Sequence, residues 1–166
     1  MPTLIKAQNG RMVLANDAFT HVDDDQELAS GEVILSLTRF QAEGDRLLSE
    51  GRQVGVRLQS DETVEALAYD LPRLALVALA FPKFRDGRHY TNARILRERL
   101  GYKGEVRAVG DVLREQAGFM LRCGFDAFEP ADGSGPAEWE AATQRFRHVY
   151  QRAADGRVPA FEERGS

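Results

Sequence analysis

At 166 residues the chain is long enough to bury a self-sufficient core and too short for two ordinary domains. An apolar fraction of 43%, a charged fraction of 29% and a net charge of −4 are those of a globular protein, and they argue against a nucleic-acid-binding domain. A single cysteine excludes a disulfide framework, a four-cysteine zinc site and a cysteine-held iron–sulfur cluster, and no run of 18 apolar residues offers a membrane span.

The start, MPTLIKAQNGRM, has no charged end followed by an apolar block, so no signal peptide is expected and the cytoplasm is the expected location. Residues 1–30 read as an N-terminal extension in which 4–6 and Arg11–Ala15 flank Asn9-Gly10, the signal of a two-residue hairpin turn. The α/β domain is expected over 31–152. It opens with the apolar run 33–37. Thr38 with Gln41 forms a capping box for a helix that places Phe40, Leu47 and Leu48 on one face and stops at Gly51.

Val54–Leu58 is the next strand. Asp61 is expected to cap a helix carrying Val64, Leu67, Ala68 and Leu71 at helical spacing, ended by Pro72. The eight residues 74–81 are apolar throughout, as in a strand buried on both faces, and are expected at the centre of the sheet. Thr91 starts a helix with Ala93, Leu96 and Leu100 inward, closed by Gly101. The strand 105–109 follows, and then a helix capped by Asp111 that carries Val112, Leu113, Ala117, Met120 and Leu121 and ends at Gly124. The strand 126–129 is the last. A final helix carries a stripe of Trp139, Ala142, Phe146, Val149 and Tyr150, and the polar tail 153–166 is expected to be loose.

Five strand–helix units with short connections predict a parallel sheet flanked by helices, in one α/β domain with an N-terminal β-hairpin. An open flavodoxin-like sheet and an incomplete βα barrel fit equally. In either, ligands bind beyond the carboxyl ends of the strands, which selects the loops 59–62, 82–90, 110–111 and 130–133.

The second loop is the richest. Between 81 and 107 lie eight basic and three acidic residues, against 14 basic and 23 acidic elsewhere. Lys83, Arg85 and Arg88 gather positive charge there, Asp86 is placed to orient an arginine, and Tyr90 to donate a hydrogen bond. Such a loop suits a small oxyanion; the competing account is a solvated loop whose Asp86-Gly87 makes a turn, followed by a charged helix face around Arg94. Arg57 and Arg107 sit inside strands and need a carboxylate or anion, with Glu129 and Asp86 the plausible partners and a structural ion pair the weightier account. Cys123 reads as a small buried hydrophobe, and His21, His89 and His148 show no metal-ligand spacing. There is no dinucleotide fingerprint, P-loop or nucleophile elbow.

Four strings, Leu79-Ala-Phe-Pro-Lys-Phe-Arg-Asp-Gly-Arg88, Ala93-Arg-Ile-Leu-Arg-Glu-Arg-Leu-Gly-Tyr102, Gly104-Glu-Val-Arg-Ala-Val-Gly-Asp-Val-Leu113 and Arg122-Cys-Gly-Phe-Asp-Ala-Phe-Glu129, together resemble the bacterial domain of unknown function 934. Leu4-Ile-Lys and the Val54–Leu58 run fit as well, whereas the tail after Tyr150 does not. The resemblance implies an oxidoreductase of sulfite reduction in sulfur assimilation, with a sulfite reductase hemoprotein as partner and no established catalytic residues. The positions where the resemblance and the predicted ligand edge coincide are Lys83, Arg85, Asp86, Arg88, Tyr90 and Arg94. No cofactor is named by the residues: flavin, nicotinamide and cluster motifs are missing, although a noncovalent flavin on an open sheet leaves no motif. An adaptor docking on the reductase and an anion-sensing module are the rival readings.

Overall fold

Asn9 (φ 54°) and Gly10 (φ 78°) both adopt the left-handed conformation that a two-residue hairpin turn demands, folding β1 (Leu4–Gln8) back on β2 (Arg11–Ala15). The computed structural model describes residues 3–82 and 87–144. Six further strands run parallel to one another: β3 (Phe19–Val22), β4 (Glu32–Ser36), β5 (Val54–Leu58), β6 (Leu76–Phe81), β7 (Glu105–Gly110) and β8 (Ala127–Phe128). All eight form one sheet in the order β2-β1-β8-β7-β6-β5-β4-β3, with β1 antiparallel to both of its neighbours.

This corrects the expected fold class. The sheet is mixed and curls into a half-barrel; it is not the parallel sheet of βα units, flavodoxin-like or otherwise. The physical reason lies in the first 30 residues. The hairpin supplies β1 to the free edge of β8, and β3 supplies an end strand beside β4.

Chain length enforces the curl. The end strands β2 and β3 are seven strand spacings apart, roughly 34 Å if the sheet were flat at about 4.8 Å per strand. Yet only residues 16–18 join them, and four Cα steps span no more than about 14 Å. Contacts across the hollow agree: the Arg107 guanidinium of β7 lies 6.0 Å from the centre of the Phe19 ring of β3.

The convex face carries the helices α1 (Leu37–Ser49), α2 (Arg88–Arg94), α3 (Ala117–Cys123) and α4 (Pro136–Gln144). Alternate strand residues, among them Val33, Leu35, Val56, Val77, Leu79, Val106 and Phe128, meet Phe40, Leu47, Leu96, Met120 and Trp139 there in the main core. Trp139 is fully buried, packs on Phe128 at 4.9 Å between ring centres and donates its indole N–H to Ser134 Oγ at 2.8 Å. The intervening residues Ile34, Leu76, Ala78 and Val109 form a smaller cluster on the concave face. β6 lies between β5 and β7, inside the sheet.

Several helix expectations are corrected. Ser36, one residue before α1, caps it by accepting from the Arg39 N–H at 3.1 Å, so the Thr38 capping box is not used. The stretch 61–71 forms two short 3₁₀ turns, Val64–Leu67 and Leu71–Arg73; Val64, Leu67 and Leu71 are buried all the same, and Pro72 sits inside the second turn. α2 begins at Arg88 rather than Thr91 and continues as a π-helical turn, Ile95–Arg99, where the Leu100 N–H reaches the Ile95 carbonyl at 2.9 Å. The helix expected from Asp111 starts as a 3₁₀ turn, Arg114–Gln116. Phe146, Val149, Tyr150 and the tail 153–166 lie outside the described residues. Among the described residues no helix is long and apolar enough to cross a membrane.

Candidate functional site

The sheet register places Lys6, Ala127, Arg107, Ala78, Arg57 and Ser36 in one row across six adjacent strands. Paired residues share a face, so this row lies in the hollow with Ile34, Leu76 and Val109. Ala127 and Ala78 flank Arg107 and leave room for two guanidinium groups to lie along the sheet.

Arg107 is 1% exposed and meets three carboxylates. Its Nε donates to Glu105 Oε2 at 2.7 Å, and its Nη1 to Asp17 Oδ2 at 3.0 Å and Glu129 Oε2 at 2.9 Å. Glu105 also takes Lys6 Nζ at 3.0 Å, and Asp17 accepts the Phe19 N–H at 3.1 Å. Burial works against the charge on Arg107, but the surrounding carboxylates outweigh it and hold its proton more tightly than usual. Burial likewise pushes the Glu129 carboxyl up, and the bonds from His21 and Arg107 bring it below the ordinary carboxylate range.

Outward from Glu129 the network continues through His21. Its Nε2 lies 2.9 Å from Glu129 Oε2, and its Nδ1 lies 3.0 Å from Arg57 Nη1. A guanidinium has no acceptor, so Nδ1 must accept, Nε2 carries the hydrogen, and the ring is the neutral Nε2–H tautomer. Arg57 Nη2 then donates to Asp23 Oδ1 at 3.2 Å. Exposure is lowest at Arg107, at 1%, and highest at Asp23, at 63%, with His21 at 26% and Arg57 at 14% between them. α1 fixes this outer end, because the Arg39 guanidinium donates to the Asp23 carbonyl at 2.5 Å and the Gln26 carbonyl at 2.7 Å.

The site therefore joins Arg57, Arg107 and Glu129, all singled out by sequence, with Asp17, His21 and Asp23 from the supposed extension. Sequence reasoning missed β3. The available signal was four residues long: Thr20 and Val22 are β-branched and alternate with Phe19 and His21. Asp86, weighed as a partner for a strand arginine, lies outside the described residues, as do Lys83 and Arg85.

The remaining loop residues belong to α2, on the convex side. Arg88 is exposed in its first turn. Tyr90 is half-buried between Phe81 (5.4 Å between ring centres) and Phe119 (4.8 Å), and burial, helped by the nearby Cys123, pushes its phenol up to about 12. Arg94 pairs with Glu98 at 4.0 Å. His89 is buried and ties α2 to the end of β5, its Nε2 donating to the Leu58 carbonyl at 3.1 Å and its Nδ1 accepting from Asn92 Nδ2 at 3.0 Å. At the end of β7, Gly110 (φ 89°) meets the Phe81 carbonyl so closely that a Cβ would lie 2.5 Å from its oxygen. Cys123 is buried, and no cluster of three His, Cys, Asp or Glu side chains among the described residues could hold a metal ion.

A family model for a bacterial protein of unknown function, DUF934, matches residues 55–161. That stretch contains Arg57, Arg107 and Glu129; Asp17, His21 and Asp23 precede it. A comparison with curated proteins gave no match.

Proposed function

The chain belongs to the DUF934 family of bacterial proteins of unknown function, and from that premise we propose an accessory protein of sulfite reduction that binds a small oxyanion at the outer end of the concave face. The observation that carries this reading is Arg57. It is the second-last residue of β5, near the carboxyl end of that strand and level with Ala78 and Arg107 inside β6 and β7. Among the described residues its guanidinium meets only a neutral imidazole and the exposed Asp23 carboxylate.

The inner acids Asp17, Glu105 and Glu129 are paired with Arg107 and Lys6, three carboxylates to two cations, so one negative charge is left over and an anion at Arg57 binds against it. Sulfite, sulfate and phosphate are trigonal or tetrahedral oxyanions that match the planar guanidinium fork. Sulfite is the choice that the family resemblance favours, with a sulfite reductase hemoprotein as the partner that consumes it. Lys83 and Arg85 follow β6 in the chain and join the proposal as residues that attract the ligand, with Asp86 as the carboxylate that orients an arginine.

Titration of the protein with sulfite, sulfate and phosphate, followed by amide chemical shifts, tests it. Losing a charge-assisted contact of about 1.5–3 kcal/mol predicts that Arg57→Ala weakens binding by roughly 10- to 150-fold. Shifts that saturate identically in the wild type and the variant would refute Arg57 as the seat.

A further inference from the structure

Resting on Arg57 as the anion's seat, we propose that His21 is the second ligand of the same anion and that anion and proton bind together. In the free protein the Arg57 Nη1 hydrogen fills the Nδ1 lone pair of His21, 3.0 Å away. A proton placed on Nδ1 abolishes that acceptor and sets one N–H against another. The Arg57–His21 bond cannot survive, and two donors then face one gap.

An oxyanion oxygen accepts from both. The Nε2–H bond to Glu129 needs no change, since that nitrogen carries its hydrogen in either state. The balance is simple: the anion enters with one proton taken from solvent, which ends on Nδ1. The site gains one positive charge as it gains the negative ligand, and the converse holds by linkage, so anion binding drives protonation.

The charged groups turned toward His21 come from every neighbouring element. Glu129 after β8 favours the imidazolium, and Arg57 on β5 disfavours it. Arg107 on β7 and Asp17 before β3 act through Glu129, Asp23 acts through Arg57, and Glu32 of β4 shares the concave face two register pairs away from Ile34, the partner of His21. With Glu129 kept ionised by Arg107, the imidazolium has a standing counter-ion.

Calorimetry with sulfate tests the proposal, because sulfate carries no proton near neutral pH. Wild-type protein titrated in buffers of different ionisation enthalpy is expected to take up close to one proton per sulfate at pH 8. Its affinity should fall about tenfold per pH unit above neutrality. His21→Gln should bind with no proton uptake and a flat pH profile; a merely structural histidine would leave the proton count unchanged. Sulfate binding without uptake, or uptake that persists in His21→Gln, overturns this inference alone. No sulfate binding at all overturns the Arg57 reading and this one with it. Ring ¹⁵N shifts of the wild-type protein give an independent check, assigned with the His21→Gln variant. They should show the Nε2–H tautomer for His21 at pH 9, and an Nδ1–H tautomer would overturn the inference.

Discussion

On the convex face of the sheet the inward side chains are Val33, Leu35, Val56, Val77, Leu79 and Val106, packed against four helices; one residue along each strand, on the concave face, they include Lys6, Arg107, Arg57 and His21. The same strands thus bury two kinds of chemistry. The convex side is held by apolar area, worth about 25 cal/mol per Å². The concave side is closed by curling, and it keeps charges that well-packed apolar residues could replace at little or no loss of stability. Stability therefore accounts for the helices but not for the hollow, and that imbalance is what directs the functional reading to the concave face.

The sharpest contrast between the faces uses one substitution on each. Trp139→Ala removes a fully buried ring from the convex core and should cost about 3–5 kcal/mol while leaving sulfite affinity of the folded protein unchanged. Arg107→Ala leaves Asp17, Glu105 and Glu129 without their shared counter-ion and should cost about as much. Arg107→Met with Glu129→Gln and Asp17→Asn, which removes charges on both sides, should restore most of that loss. Denaturant unfolding measures all three, and failure of the triple variant to recover stability would show that the hollow is needed for the fold itself.

Acid separates the faces next. The folded-state pKa of Glu129 is depressed, so its stabilising contribution is complete above the ordinary glutamate range of about 4.3 and drains away as pH falls through the lower folded value. Glu129→Gln should flatten the fall in melting temperature below about pH 4.5, whereas a convex-face variant such as Leu47→Val should keep the wild-type slope. Equal slopes in all three proteins would remove Glu129 from the account.

The smallest effect on stability is expected at the outer end. Arg57 is partly exposed and its carboxylate partner Asp23 is open to water, so Arg57→Ala should cost less than about 1 kcal/mol. Its effect should fall on ligand affinity instead. A loss of several kcal/mol, read by thermal unfolding, would make Arg57 one more structural ion and blur the difference between the two ends of the network.

What the sequence made legible follows from range. Asn9-Gly10 specifies its own turn, and the run ending at Phe81 is apolar on both faces because it is buried on both. Arginine inside Val54–Leu58 and inside Glu105–Gly110 flags a polar interior by its type alone. Its partners are a different matter. Glu105 is two residues from Arg107, but Asp17 is 90 residues away and Glu129 is 22, and only closure of the sheet brings them together. That closure depends on a three-residue link whose shortness means nothing until the strand order is known. The spacing of Val64, Leu67, Ala68 and Leu71 fits a helix, yet two 3₁₀ turns bury Val64, Leu67 and Leu71 and leave only Ala68 of the four exposed. β3 escapes a reading by sequence because four residues give too little periodicity to detect.

An oxyanion seat made by Arg57 and His21 at the outer end of the concave face should be visible in a crystal grown or soaked with selenate, whose selenium scatters anomalously. The expected result is a selenate, marked by its anomalous peak, whose oxygens lie within hydrogen-bond distance of both Arg57 Nη1 and His21 Nδ1, with the direct bond between those two atoms broken. An ordered Arg57 still bonded to His21, with selenate bound elsewhere or nowhere, would contradict it.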